Sequence, residues 1–150
     1  MTTGKQALQS FYAKEGLPEH GNVTVWVDWG RMFGMPVPIP NIFGRTKVLP
    51  YHDMHHLVTG YATDEAGEGE VAAWCMAAGG GPLLAWVYDP FAAGLGFIRF
   101  PKRVIAAWKQ GRKARTLYHV PIEQLLDMEV EEIKVLAHMQ SKTEPARRTV

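Results

Sequence analysis

The chain has a single cysteine, Cys75, and only two serines, Ser10 and Ser141. One cysteine excludes an internal disulfide, so the fold must rest on its own core, and a reducing compartment is expected. Cys75 lies in an apolar run, which marks it as a small buried hydrophobe. Neither serine sits in an elbow motif, which argues against a nucleophilic triad. The glycine run Gly79-Gly80-Gly81-Pro82 lacks the frame of a phosphate loop or a dinucleotide turn. Charge of one sign is also missing: the formal net charge is +1, so nothing in the total points to nucleic acid. The first ten residues, MTTGKQALQS, hold no apolar leader region, and a cytoplasmic location is expected. Long hydrophobic runs are absent as well. The stretch 71–98 is strongly apolar but is interrupted at Gly79–Pro82 and at Asp89-Pro90, so its pieces are too short to span a bilayer. They read as buried helices or, at most, as an interfacial surface.

What is present suits one mainly α domain over 1–140, followed by a polar tail at 141–150. Residues 5–15 predict a helix with Leu8, Phe11 and Tyr12 on one face, closed at Gly16. VTVWVDW (23–29) alternates and is β-branched, and MPVPIPN (35–41) is held extended by its prolines. A short N-terminal β-hairpin between them is compatible with both. Pro50 predicts the start of a helix over 50–59 that ends at Gly60. Thr63, with Asp64 and Glu65, predicts the cap of a next helix reaching Ala78, with Val71, Trp74 and Cys75 inward. A basic amphipathic helix is expected over 102–115, with Val104, Ile105 and Trp108 as its apolar stripe. A last helix is expected from Pro121, carrying Leu126, Val130, Ile133 and Ala137 at helical spacing.

Chemistry concentrates in YHDMHH (51–56), which holds three of the six histidines. On a helix, with His52 at zero, Asp53 lies near about 100° and His56 near about 40°. His52 and His56 are then i,i+4 neighbours able to converge on one cation, as in the HExxH helix. Asp53 stands where that motif has its glutamate, and direct ligation or general-base work are both open to it. Glu68, on the following helix, would close the site. His55, near about −60°, makes His52/His55 a rival pair, and Glu65 rivals Glu68. Two imidazoles with carboxylates suit zinc first, then iron or manganese.

The spacing H-D-x-x-H-x(11)-E, read as His52, Asp53, His56 and Glu68, resembles the signature of the Coq-four family of ubiquinone biosynthesis proteins. Gly60, Thr63, the Gly67-Glu68 pair and Trp74 fall where that family has its G-x-x-T-x-x-x-G-E run and tryptophan. Farther on, AWKQGRKARTLYHVPIEQLLDMEVEEIKVL is similar to the family's C-terminal segment, with Gly111, Arg112, Arg115, Leu117 and Tyr118 in matching places. The resemblance covers about 50–137. The N-terminal third, the GGGP turn and the DPF segment depart from the family pattern. The resemblance implies a helical domain that binds a divalent metal through His52, Asp53, His56 and Glu68. It also implies a prenylated quinone precursor as ligand, contact with the inner face of a membrane, and a place in a biosynthetic complex. Such proteins are described both as organisers and as oxidative decarboxylases that replace a head-group carboxylate with a hydroxyl.

Three function classes remain open. The first is a metal-dependent enzyme on a quinone-like or other isoprenoid lipid, with Asp53 or His55 moving the proton. The second is a lipid-binding scaffold, with a structural metal and a homodimer or larger complex as its working form. The third is an HD-type phosphohydrolase using His52 and Asp53, with His20 and Asp89 or Asp127 as further ligands. FIRFPKR (97–103) alternates aromatics with cations, as peripheral membrane contacts do, and Lys109, Arg112, Lys113 and Arg115 form a second basic cluster.

Overall fold

A computed structural model describes residues 1–16, 27–32, 35–40 and 45–139. The order is α1 (Gly4–Glu15), β1 (Val27–Met32), β2 (Met35–Pro40), α2 (Arg45–Thr59), α3 (Glu65–Ala77), α4 (Leu83–Arg99), α5 (Pro101–Gly111), α6 (Ile122–Asp127) and α7 (Val130–Leu136). The domain is mainly α, as its periodicity implies. The tail at 141–150, His20 and the first part of the predicted strand at 23–26 lie outside the described residues.

Helix α1 forms as expected. Thr3 and Gln6 make a reciprocal capping box, and Gly16 ends the helix in the left-handed region at φ 66°. Leu8 and Tyr12 are buried. β1 and β2 pair antiparallel, with Trp29 opposite Pro38. Pro36, Pro38 and Pro40 share one parity, so the N–H groups they lack fall on the outer edge, while the backbone N–H groups of Val37 and Ile39 point toward β1.

Helix α2 starts at Arg45, five residues before the predicted start, so Pro50 lies inside it. Its missing N–H would have bonded the carbonyl of exposed Thr46, in the first turn, where water can replace it. The cap of α3 is Asp64 rather than Thr63: the Asp64 carboxylate accepts from Gly67 N–H at 2.8 Å. Thr63 instead donates its hydroxyl to Glu15 Oε2 at 2.5 Å, tying the turn to α1. Val71, Trp74 and Cys75 are buried, as expected for α3.

Asp89-Pro90 does not break α4, which runs through it. Pro90 is on the exposed side, so the carbonyl it leaves unpaired is next to solvent. Most of α4 is also not buried. Ala85, Asp89 and Gly96 face inward, whereas Leu83, Trp86, Val87, Phe91, Phe97 and Ile98 are exposed. The expectation of a buried helix holds for α3 and fails for the outer face of α4. Gly69 and Gly96 let α3 and α4 touch: a Cβ on Gly69 would stand 2.8 Å from the Gly96 Cα.

Helix α5 ends at Gly111 rather than 115, and its buried line is Val104, Ala107 and Gly111. Ile105 and Trp108, expected in the stripe, are exposed. Arg103 of α5 clamps the nearly buried Glu70 of α3 with two bonds of 2.9 and 2.6 Å. The single helix expected after Pro121 is two, because Met128 is extended. Its carbonyl accepts Gly4 N–H at 2.8 Å, and Thr2 accepts Val130 N–H at 3.0 Å, so the N-terminus docks where the helix divides. The core gathers Leu8, Tyr12, Met54, Trp74, Leu117, Leu125 and Ile133 between these elements. No helix among the described residues is long and apolar enough to cross a membrane.

Candidate metal centre

Two turns of α2 and the first turn of α3 bring three donors together. His52 Nε2 lies 3.1 Å from Glu68 Oε2, His56 Nε2 lies 3.3 Å from Glu68 Oε1, and the two Nε2 atoms are 3.1 Å apart. All three ligand atoms fall within 4.8 Å of one another, close enough to hold one metal ion. The i,i+4 relation supplies the histidine pair. The turn between the helices supplies the glutamate. Gly60 reverses the chain at φ 74°, and α3 then begins directly against Ala62. A Cβ on Gly67 would stand 1.8 Å from the Ala62 carbonyl oxygen, so only glycine permits this approach, and it sets the position of the next residue, Glu68.

The donor chemistry fits a cation. His56 donates its Nδ1–H to the Tyr61 carbonyl at 3.1 Å, which leaves its Nε2 lone pair facing the cluster. Phe11 stacks on the same ring, with centroids 6.2 Å apart. Two imidazole nitrogens 3.1 Å apart beside a carboxylate need a shared positive charge, either a proton or a metal. Burial disfavours a charged His52, yet Glu68 outweighs it and raises His52 to about 9. Burial likewise opposes ionisation of Glu68, and the His52 charge reverses it, holding Glu68 well below the usual carboxylate range. The side chains of His52 and Glu68 are 25% and 40% exposed while His56 is 1% exposed, so the cluster has one sealed and one accessible side.

The structure brings together His52, His56 and Glu68 but not every expected residue. Asp53 is buried next to the cluster, outside the converging set. Burial pushes its carboxyl up, and the His52 charge pulls it part of the way back. The Tyr12 phenol is raised by its own burial and by the Asp53 charge. His55 turns elsewhere. It is fully buried between Trp74 and Tyr118, its Nε2 accepts the Leu117 N–H at 3.0 Å, and burial lowers it to about 3. That placement does not join it to His52 as a ligand pair, nor does it leave it free to carry a proton at the cluster. Glu65 is in the first turn of α3 but outside the converging set. Asp127 is exposed at the end of α6.

Asp89 carries more weight than the sequence suggested. It comes from the inner face of α4, is buried, and is pushed up to about 6 by burial, with His52 opposing and Glu68 adding to the shift. The helical spacing of Ala85, Asp89 and Gly96 is the signal that could have placed it on the inner face. No model of a known protein family matches this chain, and no curated protein matches it.

Proposed function

We propose that this chain binds one divalent cation at His52, His56 and Glu68, zinc first and iron or manganese next, and that it acts on a lipid of the prenylated quinone-precursor class. The observation that carries the metal is the convergence of two Nε2 atoms and one carboxylate at the spacing shared with the Coq-four signature. When bound, the cation supplies Lewis-acid polarisation of an oxygen atom. Three protein donors with one accessible side favour an open coordination position, hence a catalytic rather than a purely structural ion. Tyr61, through its carbonyl, fixes the His56 tautomer. Asp53 supplies negative charge beside His52, and Asp89 stands near enough for His52 and Glu68 to act on its ionisation. Asp53, a ligand in both the Coq-four signature and an HD-type phosphohydrolase, is not among the converging donors, whereas Glu68, which only the Coq-four signature uses, is.

The lipid reading has its own support. The exposed side of α4 is a continuous apolar band of roughly 140° on the helical wheel. Every ionised side chain from Pro90 to Ile122 is a cation. An apolar helix face followed along the chain by a run of lysines and arginines suits peripheral contact with an anionic bilayer.

Elemental analysis with native mass spectrometry of the purified protein tests both parts. One equivalent of divalent metal is expected, lost in His52→Ala and in His56→Ala, together with a co-purifying isoprenoid or quinone-like lipid. Metal-free protein after growth in zinc- and iron-supplemented medium, or metal unchanged in both variants, would overturn the reading.

A further inference from the structure

A cavity lies apart from the three donors, and none of them lines it. It measures about 800 Å³ and sits between the first turns of α2, the glycine turn before α4 and the segment after α5. Its floor is built rather than incidental. Thr116 donates its hydroxyl to the Gly80 carbonyl at 2.8 Å and its N–H to the Ala78 carbonyl at 3.3 Å, which binds the glycine turn to the 115–118 segment. A Cβ on Gly81 would stand 2.4 Å from the Tyr118 ring, so the aromatic edge lies directly on bare backbone. The Tyr51 ring packs on Tyr118 at 5.4 Å, and the Tyr51 hydroxyl donates to the Val120 carbonyl at 2.8 Å, so the aromatic wall is fixed.

The charge around this cavity has one sign. Lys47 and Arg115 stand on its rim with His119, and no carboxylate lines it. Neither cation forms an ion pair with another described residue. The N-terminus of the 17-residue helix α4, whose cap Pro82 provides no side-chain bond, opens onto the same space and adds positive potential. Val48, Leu84 and the largely exposed Leu83 add apolar lining to the same cavity. Two unpaired cations match a dianion, and the aromatic and aliphatic walls match an apolar body attached to it.

We propose that this cavity binds a phosphate monoester carried on an apolar body, with the phosphate between Lys47 and Arg115 and the body against Tyr51, Tyr118 and Leu83. The phosphate can come from a free metabolite or from a lipid headgroup. The proposal does not rest on the metal centre: its loss would leave metal content intact, and loss of the metal would leave this binding intact.

Calorimetric titration of the full chain tests it with hexyl phosphate, inorganic phosphate, hexanol, and phosphatidylcholine vesicles with and without phosphatidic acid. Hexyl phosphate is expected to bind at least about tenfold more tightly than either inorganic phosphate or hexanol, since each lacks one of the two contacts. Lys47→Ala and Arg115→Ala are each expected to weaken it about fivefold, and Lys109→Ala, on α5 away from the cavity, to leave it unchanged. Binding to phosphatidic acid vesicles alone, with the same pattern across variants, would also support the site and identify a lipid headgroup as the source. Hexanol binding as well as hexyl phosphate, variants that bind like the parent chain, or no binding of any probe would each overturn the proposal.

Discussion

Gly67→Ala separates a site built by close backbone approach from one assembled loosely. The new Cβ would lie 1.8, 2.5 and 2.9 Å from the O, C and N atoms of Ala62, all of them backbone. No flexible side chain can yield, so the turn must retreat by roughly 1.5 Å to restore van der Waals contact. Helix propensity alone would make this substitution stabilising by about 1 kcal/mol. Overpacking in a tight site costs about 1–3 kcal/mol, and a backbone clash belongs at or above the upper end. The net expectation is a loss of about 2 kcal/mol, which for a chain this long lowers Tm by about 4–8 °C. Glu68 is the next residue, so zinc affinity should fall at least about tenfold through lost ligand geometry. Gly94→Ala is the control, because a Cβ there meets nothing within 4 Å on a helix, and the variant should gain about 0.5–1 kcal/mol. Thermal unfolding by circular dichroism and zinc competition with a chromophoric chelator measure both effects. A Gly67→Ala protein with parental Tm and parental zinc affinity would refute the claim that this contact positions the site.

His55 should make stability fall with acid. Its folded value is about 3 against 6.5 for the free group, so between those values the native state binds fewer protons than the unfolded state. Metal-stripped protein should therefore lose up to about 1.4 kcal/mol per pH unit in that window from this group, relative to His55→Gln; identical pH profiles in urea denaturation would contradict it. Arg103→Ala strands the nearly buried Glu70 carboxylate and should cost about 1–2 kcal/mol, discounted for the exposed guanidinium, with Arg103→Lys recovering part of it; an unchanged urea midpoint would show the clamp to be idle. Trp86→Ser combined with Phe91→Ser should leave Tm within about 2 °C while reducing cosedimentation with anionic vesicles. A large loss of stability instead would mean that this face is packed inside an assembly.

The features legible in the sequence are those decided by short-range geometry. The i,i+4 pair His52 and His56 follows from the helical repeat, and α1 from its cap and its three-residue apolar face. The alternating and proline-rich segments gave the hairpin for the same reason. What escaped the sequence depends on partners far along the chain. His55 lies within one turn of both site histidines, yet its role is set by the Leu117 N–H, 62 residues away. The division between α6 and α7 is fixed by the bond from Gly4 N–H to Met128, which no local pattern announces. Apolar content alone could not say that α3 is buried while α4 turns Leu83, Phe91 and Ile98 outward, because burial depends on what packs opposite. The reach of Glu68 depended on Gly67 accepting the Ala62 carbonyl at its Cα, a contact visible only in three dimensions.

The most direct measurement is an anomalous-difference map of zinc-soaked crystals, collected above and below the zinc edge. The expected result is a single peak about 2.0–2.2 Å from His52 Nε2, His56 Nε2 and a Glu68 oxygen. A map with no peak there, or with its peak on other residues, would contradict the account.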